Sequence, residues 1–70
     1  MLPLSYAQHN EVNVIRKVGG NQEMKRHLED MGFVTGAPVK VISASGGNLI
    51  VIVKDTKVAL DQQLAAKIMI

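Results

Sequence analysis

Val39-Lys40-Val41-Ile42-Ser43-Ala44-Ser45-Gly46-Gly47-Asn48-Leu49-Ile50-Val51-Ile52-Val53-Lys54-Asp55-Thr56-Lys57-Val58-Ala59-Leu60 is the stretch that decides the fold. It is rich in β-branched residues and is interrupted twice by short polar groups, the pattern of consecutive antiparallel hairpins. Val39 and Val41 share one face of a strand over residues 39–44. Residues 45–48 make the first hairpin loop, in which Gly46 and Gly47 can take positive φ without a steric cost. Residues 49–53 are apolar on both faces, so this strand is central and the most buried. Residues 54–57 make a second tight turn, and residues 58–60 begin the strand that follows it.

Upstream, residues 12–18 read as one strand. Val12, Val14 and Val18 alternate with Asn13 and Lys17, which makes the valine face the one expected to meet the core. Ile15 breaks the alternation, and Arg16 falls on the valine face near an edge. Gly19-Gly20 then frees the chain to turn. Residues 21–33 form one complete helix. Asn21 suits the N-cap, Met24, Leu28 and Met31 repeat at i, i+4, i+7, and Gly32 is placed to end the helix in the left-handed conformation. With Gly32 at C′, Phe33 at C″ should meet Leu28 at C3. Three apolar residues cannot hold so short a helix in water, so it must lie on the sheet. Downstream, Asp61 can cap a helical turn over residues 61–66, and residues 67–70 form a closing strand. The N-terminal part carries the weakest signal: residues 4–7 suit a short strand or a helical turn, and residues 8–10 a turn.

The order is strand, helix, strand, strand, strand, helical turn, strand. Five short strands in so few residues are expected to bend into a small mainly β barrel, which removes exposed edges. One α-helix lies between the first and second strands. Residues 1–70 form one domain, with no repeat and no internal linker.

Composition bounds the function. Hydrophobic residues make up 47% of the chain, and Tyr6 and Phe33 are its only aromatics. There is no cysteine, hence no disulfide and no thiolate metal site, which fits a reducing compartment. The longest aliphatic run is residues 49–53, too short to cross a bilayer, and the N-terminal residues lack the pattern of a signal peptide. A cytoplasmic protein without membrane insertion is expected. The net charge is +2 and the basic residues are scattered. Without interleaved basic and aromatic residues, no nucleic-acid partner is expected.

No convergent catalytic set is visible. Ser5, Ser43 and Ser45 lie outside any strand-turn-helix elbow, and neither Gly-Gly pair is followed by Gly-Lys-Ser/Thr. The chain reads as a binding protein rather than an enzyme. One group of metal donors stands out: His27 has Glu23 four residues before it and Asp30 three after it. All three fall on one side of the helix and could hold a divalent ion loosely. Three exposed donors on one helix rarely close a coordination shell, so the prevailing reading is a solvated face.

Several pieces, taken in order and spacing, resemble the FeoA family. They are Leu4-Ser5, Gly19-Gly20, Lys25-Arg26, Leu28, Met31-Gly32-Phe33 and Gly36. Val39-Lys40-Val41-Ile42, Gly46-Gly47, residues 49–53, Ala59-Leu60, Ala65, Lys67-Ile68 and Ile70 follow. The chain departs from the family's habits at His9-Asn10, where Pro-Gly is common. It departs again at Asp55 and Lys57, near which glycine and arginine are common. The resemblance implies an SH3-like five-stranded barrel and an accessory role in bacterial ferrous iron uptake. Its implied partner is the cytoplasmic GTP-binding region of the membrane Fe(II) transporter. An alternative implied by the same resemblance is a transition-metal-binding or sensing module, related to the SH3-like domain of iron-dependent repressors and taking Fe(II) or Zn(II) weakly. No cofactor is required by either reading. Exposure points to Lys25, Arg26 and Glu29 on the helix and to Gly46, Gly47 and Asn48 in the hairpin loop as partner-binding residues. Weak self-association through the closing strand, residues 67–70, is also expected.

Overall fold

In the computed structural model, which describes residues 1–70, the two hairpins form as read. A 3₁₀ turn (Leu4–Tyr6) is followed by β1 (Val12–Val14), β2 (Lys17–Val18), α1 (Gln22–Asp30), β3 (Pro38–Ser45), β4 (Asn48–Val53), β5 (Thr56–Asp61), α2 (Gln62–Ala65) and β6 (Ile68–Met69). Strands β1, β3, β4 and β5 make an antiparallel sheet in that spatial order, and β2 pairs with β6 in a second, two-stranded sheet. Val39 faces Val53 and Val41 faces Val51 across β3 and β4, and all four are buried. Ile42 is the extra residue of a bulge between Val41 and Ser43, where β3 bends.

Six short strands are present where five were expected, because residues 12–18 are not one strand. Ile15 is fully buried. Its N–H donates to the Ala37 carbonyl at 2.9 Å and its carbonyl accepts from Gly36 N–H at 2.7 Å. The next residue changes partner: Arg16 N–H donates to Met69 at 2.8 Å. The break in alternation at Ile15 is therefore a corner at which one chain segment leaves the first sheet and joins the second.

The valine face of β1 is also not the one expected. Asn13 pairs with Val39, whose side chain is buried, while Val12 pairs with Lys40 and Val14 with Pro38. Cross-strand partners share a face. The register thus turns Asn13 inward and leaves Val12 and Val14 in solvent. Of the three valines, only Val18 is buried.

The closing strand is covered rather than free. On one side Gly19 and Arg16 donate to Lys67 and Met69, and on the other Leu2 and Ile70 exchange a pair of hydrogen bonds. Residues 67–70 therefore offer no open edge for the expected self-association.

α1 behaves as its sequence requires. The Asn21 side chain accepts from Met24 N–H at 2.8 Å. At the other end Phe33 N–H donates to Leu28 and Gly32 N–H to Glu29, both at 3.0 Å, which is the Schellman pattern. Leu28 and Phe33 are both fully buried among thirteen apolar core residues drawn from every layer. Asp61 caps α2 through a 2.8 Å bond from Leu64 N–H.

Two backbone positions give opposite expectations. Lys54 and Asp55 hold φ of 51° and 59° in the β4–β5 turn, where neither is glycine. Asp55→Gly should stabilise the protein by about 0.5–1 kcal/mol, read as a rise of several degrees in Tm. Gly32 sits at φ 105°, and a Cβ there would lie 3.0 Å from Lys54 Cδ. Gly32→Ala should cost about 1–2 kcal/mol in urea unfolding.

Candidate functional site

The core contains no polar or charged side chain, so every group capable of recognition lies at the surface. α1 buries Leu28 and half-buries Met24, and it leaves Glu23, Lys25, Arg26, His27, Glu29 and Asp30 exposed. Lys25, Arg26 and Glu29 are thus presented on a capped, rigid element. The β3–β4 hairpin presents the second anticipated group. Gly46 and Gly47 hold φ of 57° and 85°, which lets the strands reverse in two residues. Asn48 follows at the start of β4, paired with Ser45 on one side and Asp61 on the other.

α2 lies against both groups. Leu64 lines a shallow depression of about 210 Å³ with Asn21, Glu23, Met24 and His27. Gln62 and Ala65 line another of about 200 Å³, with Ser5, Ala44, Gly47, Asn48 and Leu49. Neither of these two depressions takes residues from both α1 and the hairpin tip. The structure brings Glu23 and His27 to one depression, whereas Asp30 is not among its lining residues. No set of three or more His, Asp and Glu residues is gathered closely enough to hold a metal ion. No helix is long and apolar enough to cross a membrane.

Two further depressions flank β1 and contain none of the anticipated site residues. One, of about 290 Å³, includes Val12, Pro38, Lys40, Ile52 and Lys54; the other, of about 420 Å³, includes Leu2, Val14, Arg16 and Ile70. The signal that would have revealed them is a register: once Asn13 is set opposite Val39, Val12 and Val14 must face outward.

Comparison with known proteins adds the following. The FeoA domain model matches residues 2–70. A Methanocaldococcus jannaschii protein named "Putative Fe(2+) transport protein A" is 31% identical over 70 residues, spanning all of this chain and 85% of that one. The structure of Stenotrophomonas maltophilia FeoA complexed with zinc, described as a procaryotic SH3 domain protein, superposes with a TM-score of 0.85. It is 27% identical, and the match covers 99% of this chain and 88% of that one. The crystal structure of an iron uptake regulatory protein (FeoA) superposes with a TM-score of 0.88 at 23% identity, covering 97% and 92% of the two chains. The mainly β barrel described above is therefore an SH3-like fold.

The scattered donors lead to a measurable expectation. Dialysis against EDTA should leave Tm unchanged in scanning calorimetry. A fall in Tm on chelation that Zn(II) restores would reveal a metal site built by a different donor set.

Proposed function

The chain belongs to the FeoA family, and on that premise we propose that it is an accessory protein of ferrous iron uptake, acting in the cytoplasm by docking on the GTP-binding region of the membrane Fe(II) transporter. The observation that carries this reading is the family match over residues 2–70. The distribution of polar groups supports docking rather than chemistry: an all-apolar core offers no buried acid, base or nucleophile, and the charged side chains stand on the outside. In this reading Lys25, Arg26 and Glu29 on α1 and Gly46, Gly47 and Asn48 at the hairpin tip meet the partner. Charges on a capped helix steer encounter and fix orientation, while a tight two-residue turn is narrow enough to enter a concave partner surface. The effect on nucleotide turnover or on transporter assembly would follow from that contact alone.

A second reading is favoured by the zinc held in the S. maltophilia relative. In it the chain binds Fe(II) or Zn(II), with Glu23 and His27 as the two donors that share a depression and Asp30 as a third within the same helix. Two adjacent donors leave half of a tetrahedral shell to water, which makes such a site weak.

The test is an amide-shift titration of the ¹⁵N-labelled protein with the cytoplasmic domain of a ferrous iron transporter from the same organism, then with Fe(II) alone. Shifts at Lys25, Arg26, Glu29 and residues 46–48 with the domain are expected. Lys25→Glu combined with Arg26→Glu should weaken the complex at least about tenfold, or roughly 1.4 kcal/mol. Equal affinity of that variant would remove α1 from the interface. Shifts with Fe(II) alone, centred on His27, would give the second reading precedence.

A further inference from the structure

β1 is an unguarded sheet edge. Val12 and Val14 are 62% and 54% exposed, and no residue of the strand is charged. At the other edge of the same sheet, β5 exposes Lys57 and Asp61. Charged side chains of that kind are how edges are normally kept from pairing.

The backbone of β1 is open as well. The Ile15–Ala37 bond lies in the same register as Val12 opposite Lys40 and Val14 opposite Pro38. Bonded and non-bonded pairs alternate in an antiparallel ladder, so the bonds to β3 fall at Asn13. Pro38 has no N–H to give Val14, which agrees with that alternation. Val12 and Val14 therefore turn their N–H and carbonyl groups away from β3, and no bond to a loop, turn or other strand engages them.

The surroundings select the occupant. The depressions on the two sides of β1 are lined by Arg16, Lys40 and Lys54, against Asp55 as the one acidic side chain. A second copy pairing edge to edge would bring the same cations to one seam. An acidic chain would neutralise them.

We propose that β1 is a docking edge for an extended acidic segment of a partner protein, which adds as a further strand to the β1-β3-β4-β5 sheet. Its backbone bonds Val12 and Val14, and the side chains it places on their face of the sheet cover those two valines in the middle of the segment and carry carboxylates at its ends toward Lys40, which shares that face through its pairing with Val12, and Arg16 beyond Val14. β1 pairs with the Pro38 end of β3, opposite the hairpin tip, so this surface is separate from the one assigned above and does not depend on that assignment.

The test titrates the ¹⁵N-labelled chain at low salt with a capped peptide Glu-Thr-Val-Thr-Val-Thr-Glu, whose Glu and Val residues all fall on one face of a strand, and separately with the counterpart in which Lys replaces Glu. The acidic peptide should shift the amides of Val12, Asn13 and Val14, with affinity falling at least about tenfold from low to high salt, and the basic peptide should not bind. Val14→Pro removes one outward N–H without touching the ladder to β3 and should lower affinity at least about tenfold. Arg16→Glu with Lys40→Glu should transfer binding to the basic peptide, and this pair carries the test if Val14→Pro fails to fold. Equal binding of both peptides, shifts away from β1, or an unaffected Val14→Pro would overturn the proposal. So would concentration-dependent shifts at β1 without peptide, which would identify a second copy as the occupant. Binding to anionic phospholipid vesicles in place of the peptide would overturn it too.

Discussion

The burial of Ile15 at the corner between the two sheets is the constraint on which the rest of the structure depends. A seventy-residue chain has little interior, and two separate sheets would not bury enough apolar surface to offset the entropy of ordering them. One continuous segment solves this by serving both. Its side chain fills the core while its backbone is held by Ala37 and Gly36, and the following amide passes to Met69. A polar residue at position 15 would leave an unpaired group in a core that holds none. A more regular strand would have kept residues 12–18 in one sheet and left β6 without its partner at β2.

The helix depends on the same closure. α1 is nine residues long, below the length at which a helix is stable alone in water. It is held by its two ends: Asn21 caps the first turn, and the Gly32 ending swings Phe33 back over Leu28 into the centre of the core. These are local features, and they were legible residue by residue. Asparagine after Gly-Gly, an apolar stripe, and Met-Gly-Phe at the stop leave few other arrangements. The hairpins were legible for the same reason, since glycine at Gly46 and Gly47 and the unbroken run of residues 49–53 act over short distances.

What could not be read was decided by pairing between distant segments. The valine alternation of residues 12–18 is a genuine period-two pattern, and taken alone it points Val12 and Val14 inward. Register with β3 overrules it, because Val39 must face the core and Asn13 is its partner. The closing strand looked free for an equivalent reason: nothing near residues 67–70 announces that Leu2 will pair with Ile70. At the candidate site, exposure of Lys25, Arg26 and Glu29 followed from the helical period. That Glu23 and His27 share a depression with Leu64, and Asp30 does not, depends on where α2 packs.

The outward valines also bear on how a protein of this size can be an accessory to something larger. Fully burying a valine is worth about 1.5–3 kcal/mol, so leaving two more than half exposed forgoes on the order of 2 kcal/mol. A small domain has roughly 5 kcal/mol of net stability, and that loss is a substantial fraction of it. The core could have used them: the inward place in β1 is held by Asn13, half-buried, rather than by a third apolar residue. Stability in isolation does not explain such an arrangement. Contact with an acidic strand does, because the same two side chains and their free backbone groups then contribute to binding what they withhold from folding. The net charge of +2, small for the chain as a whole, has the same sign as the side chains that line the two depressions beside β1, Arg16, Lys40 and Lys54 against Asp55. A modest overall charge thus acts locally as a directional one, which is what a docking surface on a small domain requires.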